Sequence, residues 1–215
     1  MQLEKTSASH GMDKFRSYPA HCYGGATHEA PLLFAAVLFA DIKGFTRFCQ
    51  SVDPYTAFRV LSTFHERMAE VISDHSATVT AVAGDEVMAA WCGTPSSVAA
   101  KALRCGNAML KTVSEFNSEE AFLPFDLSIG VGIHAGHVIL GRVPGSLNNS
   151  VYGDTVNIAS RLEQMTRTYQ TDLIVSDELV QMAALSHKIE TQRLWSPITA
   201  TLRDRKGAIK IRIAR

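Results

Sequence analysis

The sequence predicts an α+β fold, a single sandwich in which helices cover an open, mixed and mainly antiparallel sheet. Three observations lead to this prediction. At 215 residues, 46% of them apolar, the chain is long enough for one sizeable core. Strand and helix patterns alternate in the order β-α-β-β-α-β-β-α, followed by short strands. No repeat or low-complexity tract interrupts this pattern after about residue 30.

The chain begins with a segment that shows no regular pattern. Residues 1–30 mix Ser, His, Gly, Pro and Tyr without a period of two or of 3.6, so they predict an extended or flexible arm before a domain at 31–215. The apolar run from Leu32 to Asp41 then predicts a strand that is covered on both faces.

A long amphipathic helix and a hairpin are predicted next. Asp53 supplies an N-cap and Pro54 suits the first turn of a helix. The dipeptide Gly84 and Asp85 then predicts a tight turn between two strands. The apolar residues that recur at helical spacing before this turn are Phe58, Leu61, Phe64, Met68, Val71 and Ile72.

The second half of the chain continues the alternation. The stretch "SSVAAKALRCGNAMLKTVSEF" predicts a helix with a serine cap, and "FDLSIGVGIHAGHVILGRV" predicts a hairpin bent at Ala135 and Gly136. A helix is expected from about Thr155. The stretch "DLIVSDELV" predicts a short strand and helix, and small strands lead to the C-terminus.

Composition excludes several classes of partner. The 21 acidic side chains balance 21 basic ones, so no overall field points to nucleic acid or to an acidic membrane. The longest apolar run is half the length of a transmembrane helix, and the N-terminus lacks the pattern of a secretory signal, so a cytoplasmic protein is expected. The four cysteines lie far apart and are expected to be free thiols rather than zinc ligands.

Two aspartates form the first candidate site. Asp41 ends the first apolar strand and Asp85 lies at the predicted hairpin tip. If those strands are neighbours, the carboxylates meet and suit Mg²⁺ or Mn²⁺. Alternatively, Asp41 caps the next helix and Asp85 only forms a turn. Gly44, Phe45 and Thr46 open a loop that can direct backbone N–H groups at a phosphate, although a glycine in such a turn is common.

A second candidate site lies in "YGDTVNIASR". Asn157 and Arg161 are four residues apart and therefore share one face of the predicted helix. An amide and a guanidinium there can orient a ribose and neutralise charge that grows on a phosphate. The alternative is a solvated polar face with Asp154 as N-cap.

Four motifs in order resemble one family. "FADIKGFT", "GDEVMA", "GIHAGHV" and "VYGDTVNIASRLE" are similar to the catalytic domain of class III nucleotide cyclases, the adenylyl and guanylyl cyclases, over roughly residues 33 to 213. The resemblance implies a ferredoxin-like βαββαβ core. It also implies conversion of a nucleoside triphosphate to a 3′,5′-cyclic nucleotide and pyrophosphate with two Mg²⁺ or Mn²⁺ ions per active site.

The resemblance also implies roles for individual residues. Asp41, Asp85 and the backbone carbonyl of Ile42 match the family's metal ligands, whereas Asn157 and Arg161 match its ribose-orienting asparagine and transition-state arginine. Arg205 or Lys206 can fill the place of a basic residue that binds the terminal phosphate. Family members are head-to-tail dimers with shared sites, so a homodimer is expected.

The residues that select a purine in this family are missing. Adenylyl cyclases typically pair a lysine with an aspartate or threonine, and guanylyl cyclases use glutamate and cysteine; this chain has Ala81 and Ser150 there. A pyrimidine substrate, UTP before CTP, is therefore expected. The chain resembles the pyrimidine cyclases of bacterial Pycsar antiphage defence, which implies cyclic UMP as product and a role in antiviral signalling.

The sequence leaves three alternatives. The chain can be a divergent adenylyl cyclase that makes cyclic AMP and contacts adenine through backbone and Ser150. It can be a catalytically silent nucleotide-binding regulator, although retention of the four chemical residues argues against this. A GGDEF-type diguanylate cyclase is disfavoured because Ala83 replaces a glycine of that signature and because "YGDTVNIASR" has no counterpart there.

Overall fold

The computed structural model describes residues 30–119, 126–143, 148–186, 196–202 and 207–214. These residues form five helices and one mixed sheet of eight strands, which confirms the predicted α+β class. The predicted arm lies outside the described residues except for Ala30.

The sheet has the strand order β2-β3-β1-β4-β6-β8-β7, and β5 pairs with the far end of β4. Every pairing is antiparallel except that of β4 with β6. The strands are β1 (Leu32–Ile42), β2 (Val79–Ala83), β3 (Glu86–Cys92), β4 (Ile129–Gly141), β5 (Ser150–Tyr152), β6 (Leu173–Ser176), β7 (Ile198–Thr201) and β8 (Ala208–Ile213).

Helices lie on both faces of the sheet. One face carries a large core formed with four helices, and the other face carries a single helix, α4. Alternate residues of β1 serve the two cores, as strand geometry requires: Leu38 faces the first and Val37 the second. The helices are α1 (Phe45–Ser51), α2 (Pro54–Asp74), α3 (Pro95–Glu119), α4 (Asp154–Thr168) and α5 (Asp177–Ala184).

Local signals predicted the first half of the domain well. The apolar run forms β1, which is buried along its centre. Asp53 caps α2, because its carboxylate accepts hydrogen bonds from the N–H groups of Tyr55 at 2.9 Å and Thr56 at 3.1 Å. The hairpin of β2 and β3 turns at Gly84 and Asp85.

The predicted hairpin at Ala135 and Gly136 is wrong, because β4 runs unbroken through both residues. The glycine serves close packing instead of a turn. A Cβ added at Gly136 would lie 2.6 Å from Thr155 Oγ1 on α4, and that hydroxyl donates a 2.8 Å hydrogen bond to the His137 carbonyl. The sequence signal for a bend was therefore a signal for helix–sheet contact.

Three smaller expectations also need correction. Phe45 and Thr46 belong to the short helix α1 rather than to an open loop. The serines expected to cap α3 lie inside that helix, which begins at Pro95. Phe58 was expected on the apolar face of α2 but is 70% exposed, since that face turns through Val60 and Phe64 instead.

The structure also bears on membrane-spanning helices and on the cysteines. Within the described segments, no helix is both long and apolar enough to cross a bilayer. Cys49, Cys92 and Cys105 are free thiols, as expected, and Cys22 lies outside the described residues.

Candidate active site

Asp41 lies at the end of β1 that carries the site. It pairs across the ladder with Gly130 of β4, and by alternation it points to the face of the sheet that α4 covers. The next residue, Ile42, buries its side chain in the opposite core and is 1% exposed. Ile42 can therefore offer only backbone atoms to a ligand near Asp41.

Asp85 meets Asp41 at this edge of the sheet. The antiparallel pairing of β1 with β3 places the hairpin turn at Gly84 and Asp85 beside the end of β1. Hydrogen bonding with Asp85 and the charge of Asp85 both contribute to the raised pKa of Asp41, so the two carboxyl groups lie side by side. Gly84 has φ +62°, a conformation that glycine adopts without strain, so the sharp turn brings Asp85 into position.

The backbone after Asp41 is held by Lys43. Its ammonium donates hydrogen bonds to the Thr171 carbonyl at 2.8 Å and to Asp172 Oδ1 at 2.5 Å, both in the segment that follows α4. These bonds tie the end of β1 to the end of α4 and limit movement of the Asp41 carboxylate relative to that helix.

Arg167 forms an ion pair with Asp41 and a second one with Glu163. Its Nη2 donates to Asp41 Oδ2, and its Nη1 donates to Glu163 Oε1 at 2.5 Å. Glu163 and Arg167 are four residues apart on α4 and therefore share a face of the helix. The Glu163 side chain is 2% exposed, whereas that of Arg167 is 39% exposed.

Burial of these acids shifts their proton affinity. Burial, followed by the hydrogen bond and charge of Asp85, raises the pKa of Asp41 to about 6 against the opposing effect of Arg167. Burial also raises the pKa of Glu163 to about 7, although Arg167 is its direct partner. The pKa of Glu86 is raised by burial and then by the charge of Asp85. Clustered acids with few counter-charges favour binding of a cation.

The donor set fits a hard divalent cation. Two adjacent carboxylates, Asp41 and Asp85, supply the oxygen ligands that Mg²⁺ and Mn²⁺ prefer. The guanidinium of Arg167 already forms an ion pair with Asp41 and shows that this carboxylate accepts a positive partner. No group of three His, Cys, Asp or Glu side chains in the described part of the chain is arranged to hold a metal ion. A cation here would therefore rest on the two aspartates, backbone oxygen such as that of Ile42, water and substrate.

Asn157 and Arg161 lie on the first half of α4, away from the aspartates. Asn157 is exposed and Arg161 is partly exposed. Asn157 and Arg167, which contacts Asp41, are ten positions apart on α4, and this corresponds to about 15 Å along the helix axis. Within one chain, the part of α4 that carries Asn157 and the part that contacts Asp41 therefore lie apart along the helix.

Glycines of β4 let α4 approach the sheet closely enough to form these contacts. A Cβ at Gly132 would lie 2.1 Å from the Glu163 nitrogen and 2.5 Å from the Ala159 carbonyl oxygen. A Cβ at Gly130 would lie 2.6 Å from Glu163 Oε1. Close packing thus fixes Glu163 beside the strand that neighbours Asp41.

The two positions that replace the purine-selecting residues lie on different strands. Ala81 is exposed on β2, opposite Met88, and Ser150 is partly buried on β5, opposite Gly141. The strands β2 and β5 contact each other. The two side chains thus belong to neighbouring parts of the surface.

The expected phosphate-binding residues are only partly visible. Gly44 has φ +74° and precedes α1; Phe45 is partly buried and stacks on Phe48, and Thr46 is exposed. These residues follow the end of β1 directly, so they lie near Asp41 in the chain. Arg205 and Lys206 lie outside the described residues.

Comparison with known proteins identifies the family. The family model named adenylate and guanylate cyclase catalytic domain matches residues 31–196 of this chain. This chain belongs to that family. The cyclase domain is 33% identical to adenylate cyclase 1 of Rhizobium meliloti over 149 residues, which are 66% of this chain and 22% of that protein. It is 29% identical to an adenylate cyclase of Anabaena cylindrica over 153 residues, 67% of this chain and 30% of that protein.

Solved structures share the fold of the cyclase domain. The guanylyl cyclase Cya2 superposes with a TM-score of 0.72 at 24% sequence identity, covering 86% of this chain and 93% of that one. The likeness extends to the fold alone at this level of identity. The chain spans less than a third of the length of the two curated relatives above.

The sequence did not predict that Glu163 and Arg167 belong to this site. Their spacing of four residues on a predicted helix is a recognisable ion-pair signal. The contact of Arg167 with Asp41 joins residues 126 positions apart, and no local pattern indicates such a pairing.

Proposed function

We propose that this chain is a nucleotide cyclase, a phosphorus–oxygen lyase that converts a nucleoside triphosphate to a 3′,5′-cyclic nucleotide and pyrophosphate. One observation carries the proposal: the carboxyl groups of Asp41 and Asp85 meet at the edge of the sheet. Both residues lie within the range 31–196 that matches the family. Two acids held together at a strand end suit a pair of cations that bind a triphosphate.

Each chain residue has one task in this reaction. Asp41, Asp85 and the Ile42 carbonyl would hold two Mg²⁺ or Mn²⁺ ions, and these would lower the pKa of the substrate 3′-hydroxyl and bind the triphosphate. The amide of Asn157 orients the ribose, so that the 3′-oxygen lies in line with the α-phosphorus. The 3′-oxygen forms a bond to the α-phosphorus and its proton is released to water. The bond from the α-phosphorus to the oxygen that bridges it to the β-phosphorus breaks, and this oxygen leaves with pyrophosphate. Arg161 neutralises the charge that grows on the phosphate.

A head-to-tail homodimer forms the active site in this proposal. About 15 Å of helix separates Asn157 from the contact between Arg167 and Asp41. Each chain therefore gives its aspartates to one active site and its Asn157 and Arg161 side chains to the other. A two-fold pairing of identical chains brings the Asn157 and Arg161 pair of one protomer to the aspartates of the other, and it does so twice. Arg205 or Lys206 is proposed to bind the terminal phosphate.

A pyrimidine nucleotide, UTP before CTP, is the proposed substrate. The small side chain of Ala81 and the hydroxyl of Ser150 lack the hydrogen-bonding pattern by which purine cyclases of the family read their base. The product is then cyclic UMP, made in the cytoplasm, and the proposed biological role is antiphage signalling.

ATP is the second candidate substrate, and one observation favours it. The two curated relatives described above are adenylate cyclases. In this alternative, backbone groups and Ser150 contact adenine, and the product is cyclic AMP.

One experiment separates these functions. The purified full chain is incubated with each of the four nucleoside triphosphates and Mn²⁺, and products are resolved by mass spectrometry. Cyclic UMP as the main product supports the pyrimidine proposal, and cyclic AMP supports the alternative. An Asp41→Asn, Asp85→Asn variant serves as control and should form no cyclic product. Nucleotide binding without any cyclic product from the wild type would contradict cyclase activity and favour a regulatory role.

A further inference from the structure

Arg167 has two acidic partners of different kinds. Its contact with Glu163 is made within α4 between residues four apart, so it persists wherever that helix is intact. Its contact with Asp41 joins α4 to β1 across 126 positions of the chain. The first contact depends only on the helix, whereas the second depends on what else the Asp41 carboxylate binds.

The two partners also differ in their surroundings. The Glu163 side chain is 2% exposed, so its ion pair is shielded from bulk water. The Asp41 side chain is 22% exposed and borders Asp85, with which it is proposed to hold cations. Asp41 can therefore exchange its positive partner for one from solution, while Glu163 cannot.

We propose that Arg167 is an internal counter-cation that competes with the divalent cation for Asp41, and that Glu163 retains the guanidinium when the cation takes this carboxylate. The inference rests on the proposed function, because it assumes that Asp41 is a metal ligand. Arg167 is thus a positioning residue: it acts on the reaction through Asp41 and sets how tightly the site binds cations.

Charge and geometry determine the direction of the effect. The Nη2 group of Arg167 occupies Asp41 Oδ2, an oxygen that a cation needs, and a guanidinium beside a bound cation repels it. Loss of the guanidinium should therefore tighten cation binding. Loss of the Glu163 charge should weaken cation binding, because Asp41 is then the remaining carboxylate of these two that pairs with Arg167.

The test measures Mn²⁺ binding to the full chain without nucleotide, by the electron paramagnetic resonance signal of free Mn²⁺. Arg167→Met should bind Mn²⁺ roughly tenfold more tightly than the wild type, in keeping with a half-exposed ion pair. Arg167→Lys keeps the charge and should stay close to the wild type. Glu163→Gln should bind several-fold more weakly at a pH above the Glu163 pKa of about 7, where this carboxyl group is ionised. A residue that only stabilises the fold would not produce opposite signs in these variants.

A matched control is the ion pair of Arg212 on β8 with Asp177 on α5. Here a partly exposed arginine contacts a buried carboxylate at 2.5 Å. Arg212→Met should leave Mn²⁺ affinity unchanged. Because Arg167→Met leaves Glu163 buried without its partner, the double variant Arg167→Met, Glu163→Gln provides a second test in a neutral background. It should also bind Mn²⁺ more tightly than the wild type.

Each result has one meaning. Unchanged or weaker binding in Arg167→Met and in the double variant, or tighter or unchanged binding in Glu163→Gln, overturns the role of Arg167. The Asp41→Asn variant tests the underlying assumption separately. If the wild type binds Mn²⁺ at a site that Asp41→Asn does not weaken, the proposed metal site is wrong, and the failure belongs to the proposed function rather than to this inference.

Discussion

His65 donates a hydrogen bond from Nε2 to the carbonyl oxygen of Gly84 over 2.8 Å, and so joins α2 to the turn that carries Asp85. A carbonyl oxygen only accepts, so this nitrogen carries the proton. The other ring nitrogen, Nδ1, is buried without a hydrogen-bond partner among the described residues. The ring thus has one polar task, which is to hold the tip of the hairpin.

Removal of this hydrogen bond should impair catalysis more than folding. In His65→Ala the turn loses its anchor, and a displacement of Asp85 by a fraction of an ångström should lower kcat on the order of tenfold or more. His65→Gln can still donate and should retain more activity. Steady-state kinetics measure the effect. His75→Gln, at the C-cap of the same helix and bonded to the Val71 carbonyl, is the control. Equal losses in the Ala and Gln variants would contradict a positioning role.

Gly132 should be among the least replaceable residues of the domain. A Cβ there would lie 2.1 Å from the Glu163 nitrogen, so Gly132→Ala must push α4 away from β4. We expect a loss of about 1–3 kcal/mol or more in the free energy of unfolding, measured by urea denaturation. Gly106→Ala is the comparison, because the one contact of its Cβ below 3.0 Å would be with the end of the Ile133 side chain, at 2.9 Å, and not with backbone. A smaller loss for Gly132→Ala than for Gly106→Ala would contradict the close-packing argument.

Local signals carried most of the fold prediction. The buried strand ending at Asp41 is written as an uninterrupted apolar run, and the start of α2 is written as Asp53 and Pro54. Both features depend on residues close in sequence, where propensity and capping act. The hairpin at Gly84 was predictable for the same reason.

The errors came from contacts that are distant in sequence. Gly136 resembles a turn residue when read locally, but Thr155 explains it only after α4 is packed on β4. The direction of Phe58 depends on which side of α2 meets the sheet, and periodicity alone does not decide this. In the site, Asp41 was found from its position at a strand end, whereas its partner Arg167 comes from the end of a helix 126 positions away.

Mixing of two inactive variants should restore activity if sites are shared between protomers. Asp41→Asn removes a group from one half of each site, and Asn157→Ala removes one from the other half, so either homodimer is inactive. After denaturation and refolding together, half of the dimers contain both variants, and each of these has one intact site. Activity should recover to roughly a quarter of the wild type. Product formation by the separate and the mixed variants measures this; no recovery in a mixture that size-exclusion shows to be dimeric would contradict shared sites.

Substitution at Ala81 and Ser150 should change base preference. Ala81→Lys with Ser150→Asp introduces the pair that adenylyl cyclases of this family typically carry, on two strands that contact each other. The ratio of kcat/KM for ATP to that for UTP should rise by tenfold or more, since unpaired polar groups at a base edge discriminate strongly. Competition between the two nucleotides measures the ratio. Val82→Lys, on β2 but pointing to the opposite side of the strand, is the control and should not shift it.

The stability of the metal-free protein should depend on pH through Glu163. Burial raises its pKa from 4.5 to about 7, so the folded chain binds this proton more tightly than the unfolded chain between these values. Folding then takes up a proton, and the free energy of unfolding decreases as pH rises from about 4.5 through about 7. Glu163→Gln removes this contribution, whereas Asp41, with its pKa raised to about 6, still contributes below that pH.

Urea unfolding in EDTA at several pH values between about 5 and about 8 tests the dependence. The difference in stability between Glu163→Gln and the wild type should move in favour of the variant as pH rises, because the wild type must ionise a carboxylate that is 2% exposed. Glu178→Gln, which alters an exposed carboxylate on α5, should run parallel to the wild type. Parallel curves for Glu163→Gln as well would mean that Arg167 fully compensates the buried charge, and burial would then not be the dominant influence on this acid.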